Sequence, residues 1–156
     1  MRFVNLVLTA VLFICFGPGA FGRERECVHV GGGATTNIGV ITPDRTLGVS
    51  TGDIKGAVGV LIVGQSPGIN GTTVFSVHHY WVTDAGDTIF VAPAQLTAFP
   101  VAPGLFAVVT YPVSITGGTG KFQGATGKLN LIGEADFNTG EIGLRYSGQI
   151  CFASEE

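Results

Sequence analysis

Residues 117–127 read GGTGKFQGATG, five glycines in eleven positions around one lysine. Such a stretch either wraps a phosphate with backbone amides ahead of a helix or turns and kinks the chain between β-strands. The phosphate pattern, G-x-x-x-x-G-K followed by Ser or Thr, is not met. Ile115 stands where the first glycine belongs, and Phe122 replaces the hydroxyl that would hold magnesium. The residues that follow, KLNLIGEADF, form a strand pattern and not the helix whose N-terminus would face a phosphate. The glycines are therefore read as turns and kinks in a small β-protein.

Working outward, strand-like runs follow one another between turn formers. They are ECVHV (26–30), RTLGVS (45–50), IKGAVGVLIVG (54–64), TTVFSVHHYWVT (72–83), DTIFVAPAQLTAF (87–99), LFAVVTYPVSIT (105–116), KFQGATGKLNLIGEADF (121–137) and EIGLRYSGQICF (141–152). The separators are GGG (31–33), TPD (42–44), SPGING (66–71), DAGD (84–87) and APG (102–104). Eight strands at this spacing predict a closed barrel or a sandwich, and their length with short turns favours an antiparallel up-and-down β-barrel. Pro93 and Pro112 fall inside strand-like runs, where a missing N–H predicts bulges or edges.

The last hairpin fixes its own register. With FNTG (137–140) as the loop, Asp136 faces Glu141. Leu129, Leu131, Gly133 and Ala135 then oppose Gly148, Tyr146, Leu144 and Ile142 on one face. Lys128, Asn130, Ile132 and Glu134 share the other face with Gln149, Ser147, Arg145 and Gly143. The first set is the interior face, which leaves Glu134, Arg145 and Cys151 outside. In TTVFSVHHYWVT, the more apolar face carries Phe75, Val77, His79 and Trp81, so His79 is expected to point inward. Small inward residues, Gly127, Gly133, Ala135 and Gly148, predict an open lumen. The candidate ligand-binding residues are Phe75, Trp81, Leu129, Leu131 and Leu144. His79, Tyr111 and Tyr146 are the candidate catalytic groups.

The N-terminus has a different character. Arg2 precedes the apolar run FVNLVLTAVLFICF, and GPGAFG offers Ala20 and Gly22 as small residues at a cleavage site. A signal peptide over 1–22 and a single barrel domain over 23–156 are predicted, the alternative being an uncleaved anchor. The mature chain would keep seven basic against eleven acidic residues, a balance that argues against nucleic acid as a partner. No later stretch is long and apolar enough for stable membrane insertion after cleavage. The protein is expected to be secreted or periplasmic. Cys27 and Cys151 lie near the two ends of the mature chain and read as one disulfide in an oxidising compartment, or else as two free thiols.

Other motifs carry less. GQSPG (64–68) matches the nucleophile elbow G-x-S-x-G, yet it leads into a strand and no histidine lies beyond His79. His78 and His79 are adjacent in a strand and point to opposite faces, so they cannot chelate one metal together. No metal and no cofactor are expected.

GGTG, a basic residue, an aromatic one, then xGAxG, ahead of a strand and hairpin, is the recurring piece of a known barrel family. Through Gly117–Gly127 and the hairpin to Cys151, the chain resembles allene oxide cyclases and dirigent proteins, above all their small secreted bacterial relatives. VHHYWVTDAGDTIFVAPAQL fits the same pattern loosely. The resemblance implies an eight-stranded barrel with an apolar central cavity, often a homotrimer. No acid of this chain aligns with the acids those proteins use, and Glu134 and Arg145 are predicted outside the lumen. Three readings follow. The barrel holds a small hydrophobic molecule, or it is an isomerase or cyclase confining a reactive intermediate, or it is a non-catalytic structural protein packed solid.

Overall fold

The computed structural model describes residues 26–153, so the predicted signal peptide lies outside the described residues. Ten strand segments are present: β1 (Glu26–Ile38), β2 (Arg45–Gly52), β3 (Gly56–Pro67), β4 (Thr73–Thr83), β5 (Thr88–Val91), β6 (Ala94–Ala102), β7 (Leu105–Thr110), β8 (Pro112–Gly118), β9 (Thr126–Asp136) and β10 (Glu141–Phe152). They make eight staves of one closed antiparallel barrel. The segments β5 and β6 form a single stave that pairs with β4 on one side, and β8 and β7 form the stave beside it, which pairs with β9. Closure comes from β10, which pairs with both β9 and β1. The breaks fall at Ala92–Pro93 and at Tyr111, next to the two prolines that cannot donate to a ladder.

The hairpin register is the one the alternation predicts: Asp136 faces Glu141, Leu131 faces Tyr146, and Leu129 faces Gly148. Phe75, Val77 and Trp81 are likewise buried along β4. Three readings of the sequence need correction. Gly31–Gly33 is no turn but the middle of β1. A side chain at Gly32 would collide with the Tyr146 ring and the Thr51 carbonyl, so the glycine lets that ring lie across the strand. Among the small inward residues, Gly127, Gly133 and Gly148 leave no void. The backbone of the facing strand fills the place of each missing side chain, and only Ala135 borders open space.

The third correction concerns the 117–127 stretch. Its strand starts only at Thr126, and residues 120–122 form a short 3-10 turn. That turn tucks Phe122 and Ala125 into the end of the barrel where β1 begins and β10 finishes. The glycine-rich stretch is a plug. Gly120 has φ +52°, and any side chain there would strike the Asp87 carboxylate. Behind the plug, Cys27 and Cys151 face each other across β1 and β10 and form a disulfide. No helix among the described residues is long and apolar enough to cross a membrane.

Candidate functional site

The two ends of the barrel are filled differently. At the plugged end, Trp81 donates its indole N–H to Ser50 Oγ (2.8 Å) and meets Tyr146 edge-on at 5.5 Å. The Tyr146 hydroxyl donates to the Thr51 carbonyl and accepts from the Ile54 amide, both at 2.8 Å. Ile89, Ile150 and Phe122 complete a floor that is packed and hydrogen-bonded.

Above the floor the packing opens into a cavity. The centre of a water-sized sphere has about 60 Å³ in which to move. With a water radius added on all sides, that corresponds to on the order of 200 Å³, room for a molecule of about ten non-hydrogen atoms. Aliphatic and aromatic side chains form most of its wall, and among the described residues no Asp, Glu, Lys or Arg lines it. Toward the 137–140 loop, three rings stand together. Phe75 stacks on Phe137 at 6.1 Å, and Phe106 meets Phe75 and Phe137 edge-on at 6.1 and 5.5 Å. Phe137 is held there by its backbone N–H, which donates a hydrogen bond to the Gly104 carbonyl (2.8 Å), and Asn138 Nδ2 donates to the Pro103 carbonyl (3.0 Å). It is 38% exposed, which makes it the outermost of the three.

Strand alternation delivers the polar groups of the wall. His79 follows Phe75 and Val77 inward along β4, and Tyr111 sits at the break between β7 and β8. Their rings lie 5.3 Å apart, and Tyr111 Oη is hydrogen-bonded to His79 Nε2. Burial strips the water that an imidazolium needs and, with the adjacent His78, holds His79 down at about 4; burial likewise pushes the Tyr111 phenol up. At neutral pH the pair is uncharged and is held by one hydrogen bond. His79 Nδ1 and Thr46 Oγ1 are buried without a protein partner, and both residues line the cavity.

Of the residues singled out in the sequence, Phe75, Trp81, Leu131, Leu144, His79 and Tyr111 come together around this space. Leu129 and Tyr146 do not border it. Leu129 is buried below, and the Tyr146 hydroxyl is fully engaged by backbone groups of the 51–54 turn. Burial also raises the Tyr146 phenol, which keeps it a neutral structural hydrogen-bonding group. Sequence reading missed Thr46, Phe106 and Phe137. The missed signal at Phe106 is its two-residue spacing from Val108 on β7, whereas Phe137 opens the FNTG loop and carries no strand parity of its own.

No family model matches the chain, and no curated protein matches it. Two similar solved structures are dirigent proteins, the kind of barrel that the 117–127 stretch resembles. The pterocarpan synthase dirigent protein GePTS1 is 16% identical over 93% of this chain and 100% of its own, with a TM-score of 0.37. The pterocarpan synthase dirigent protein PsPTS1 is 16% identical over 85% of this chain and 98% of its own, with a TM-score of 0.34. No residue role passes to this chain from a likeness at that level, and its own strand pairing carries the barrel.

Proposed function

We propose that this chain is an exported dirigent-like barrel that holds a small, mostly apolar molecule in its lumen. The observation that carries this reading is the cavity: uncharged, walled by aliphatic and aromatic groups, and closed at one end by a hydrogen-bonded floor. Most of what such a space offers a ligand is burial of apolar area, at about 25 cal/mol per Å². The Cys27–Cys151 disulfide supports export, since such bonds persist in oxidising compartments. A homotrimer is part of the proposal, and Leu47, Val49, Tyr80 and Val82, exposed together on the outer face of β2–β4, are apolar surface that self-association would cover.

Isomerisation or cyclisation within the lumen is the second reading, and the His79–Tyr111 pair on the cavity wall favours it. A histidine held near 4 is a poor proton acceptor at neutral pH, so catalysis here would come from confinement and orientation.

Native mass spectrometry of protein purified from its own source tests the main reading. A retained small molecule is expected in the unaltered protein and should be lost in Ala98→Leu, which fills the cavity from β6. Retention of the same molecule by a folded Ala98→Leu variant would place it outside the lumen and end the proposal.

A further inference from the structure

The lumen has a chemical preference as well as a size. Thr46, Val60 and His79 occupy one rung across β2, β3 and β4: Thr46 faces Val60, and Val60 faces His79. Two strand spacings separate the outer members, about 10 Å between Cα atoms. All three residues line the cavity, and inward side chains of a curved sheet converge. The unpartnered atoms Thr46 Oγ1 and His79 Nδ1 therefore flank one side of the same space. Thr46 is only 6% exposed, so solvent outside the barrel does not serve its hydroxyl. A buried hydroxyl or ring nitrogen left without a hydrogen bond is costly, and each recovers that cost from an oxygen placed in the lumen.

Charge is excluded on separate grounds. Among the described residues no Lys or Arg lines the cavity to balance a carboxylate, and no Asp or Glu to balance an amine. The one imidazole on the wall, His79, is kept neutral at pH 7 by its burial. An ion brought in there would lose its hydration without gaining a counter-charge. Beyond the polar rung, toward Phe75, Phe106 and Phe137, the space accepts an apolar body with an aromatic face.

We propose that the lumen selects a neutral, singly oxygenated hydrophobic molecule of about ten non-hydrogen atoms, with its hydroxyl or carbonyl oxygen held at Thr46 and His79 and its apolar body toward the three phenylalanines. The inference rests on the lumenal-binding reading and names its ligand class. A ligand oxygen at the rung replaces the hydrogen bonds that lumen water would make there. A hydrocarbon of equal size leaves both atoms bare or must share the space with water.

Trp81 is the only tryptophan of the chain and borders the cavity, so its emission reports occupancy. Three probes of nearly equal size separate the outcomes at pH 7: 2-phenylethanol, ethylbenzene and phenylacetate. The expected result is that 2-phenylethanol binds at least tenfold more tightly than ethylbenzene, with no measurable binding of phenylacetate. In Thr46→Val the preference for the alcohol should fall below threefold, because the alcohol loses a partner and ethylbenzene no longer strands a hydroxyl. Thr46→Ser, which keeps the hydroxyl, should retain the preference even if Thr46→Val folds poorly. Equal affinity for the alcohol and the hydrocarbon, tight binding of phenylacetate, or an unchanged preference in folded Thr46→Val overturns the inference and leaves lumenal binding standing. No response of Trp81 emission to any of the three probes overturns both.

Discussion

The two ends of this barrel use the same residue types to opposite purposes. At the plugged end Trp81 and Tyr146 spend every polar atom on Ser50 and on the backbone of the 51–54 turn. At the other end His79 and Tyr111 satisfy only each other, and His79 Nδ1 and Thr46 Oγ1 are left over. Completed hydrogen bonding marks the half that holds the fold together. Incomplete hydrogen bonding inside an otherwise apolar space marks the half that has room for something else. An enclosed aromatic cluster alone would not distinguish the two, since both ends have one.

The largest effect should come from the plugged end. Removing the Cys27–Cys151 bond by a double serine substitution opens a loop with a sequence separation of 124 residues. On the chain-entropy account this costs roughly 4–5 kcal/mol, read as a lowered denaturation midpoint with an unchanged fold. A stability loss below a quarter of that would show that the plug and the β1–β10 ladder hold this end without the bond.

The next effect belongs to the cavity end and is set by pH. The folded-state pKa of His79, about 4, lies below the 6.5 of an unfolded histidine. Between those values the unfolded chain binds the extra proton, so the contribution of His79 to stability is present above pH 6.5. It is lost as the pH falls through 4, by an amount on the order of 3 kcal/mol. Thermal unfolding followed from pH 7 to pH 4 should show this slope in the unaltered protein and a flatter one in His79→Gln. An equal slope in both would assign the acid sensitivity to other groups.

How much of this contrast can be read from the sequence depends on the strand. The β9–β10 hairpin is legible because a four-residue loop fixes its register and aliphatic residues alternate without interruption on one face. On β4, Phe75, Val77 and Trp81 mark the inward face, and His79 follows by parity. On β2 the same logic gives the wrong face. Leu47 and Val49 are the apolar residues, yet they point outward, and Thr46, Gly48 and Ser50 turn in. Ser50 is needed inside by the Trp81 indole, and Gly48 packs against the Thr35–Thr36 backbone. Those demands come from strands distant in sequence, so hydropathy along β2 does not contain them. The unpartnered hydroxyl of Thr46 was invisible for the same reason. The glycine-rich stretch was legible as non-phosphate, but the insertion of Phe122 into the barrel end depends on the hole that closure leaves there.

The smallest and sharpest comparison deletes the same atom at both ends. In Tyr146→Phe, the Ile54 amide loses its acceptor and the Thr51 carbonyl its donor, two backbone groups that the one hydroxyl serves together. A loss of about 1–3 kcal/mol is expected, the range for stranding a buried backbone group. In Tyr111→Phe only His79 Nε2 loses a partner, and the adjoining cavity can hold a water that replaces the missing hydroxyl, which limits the loss to about 1 kcal/mol or less. Paired urea titrations measure the difference directly. If Tyr111→Phe proved the more damaging of the two, the His79–Tyr111 pair would belong to the structural framework. The division of the barrel into a holding half and a receiving half would then have to be redrawn.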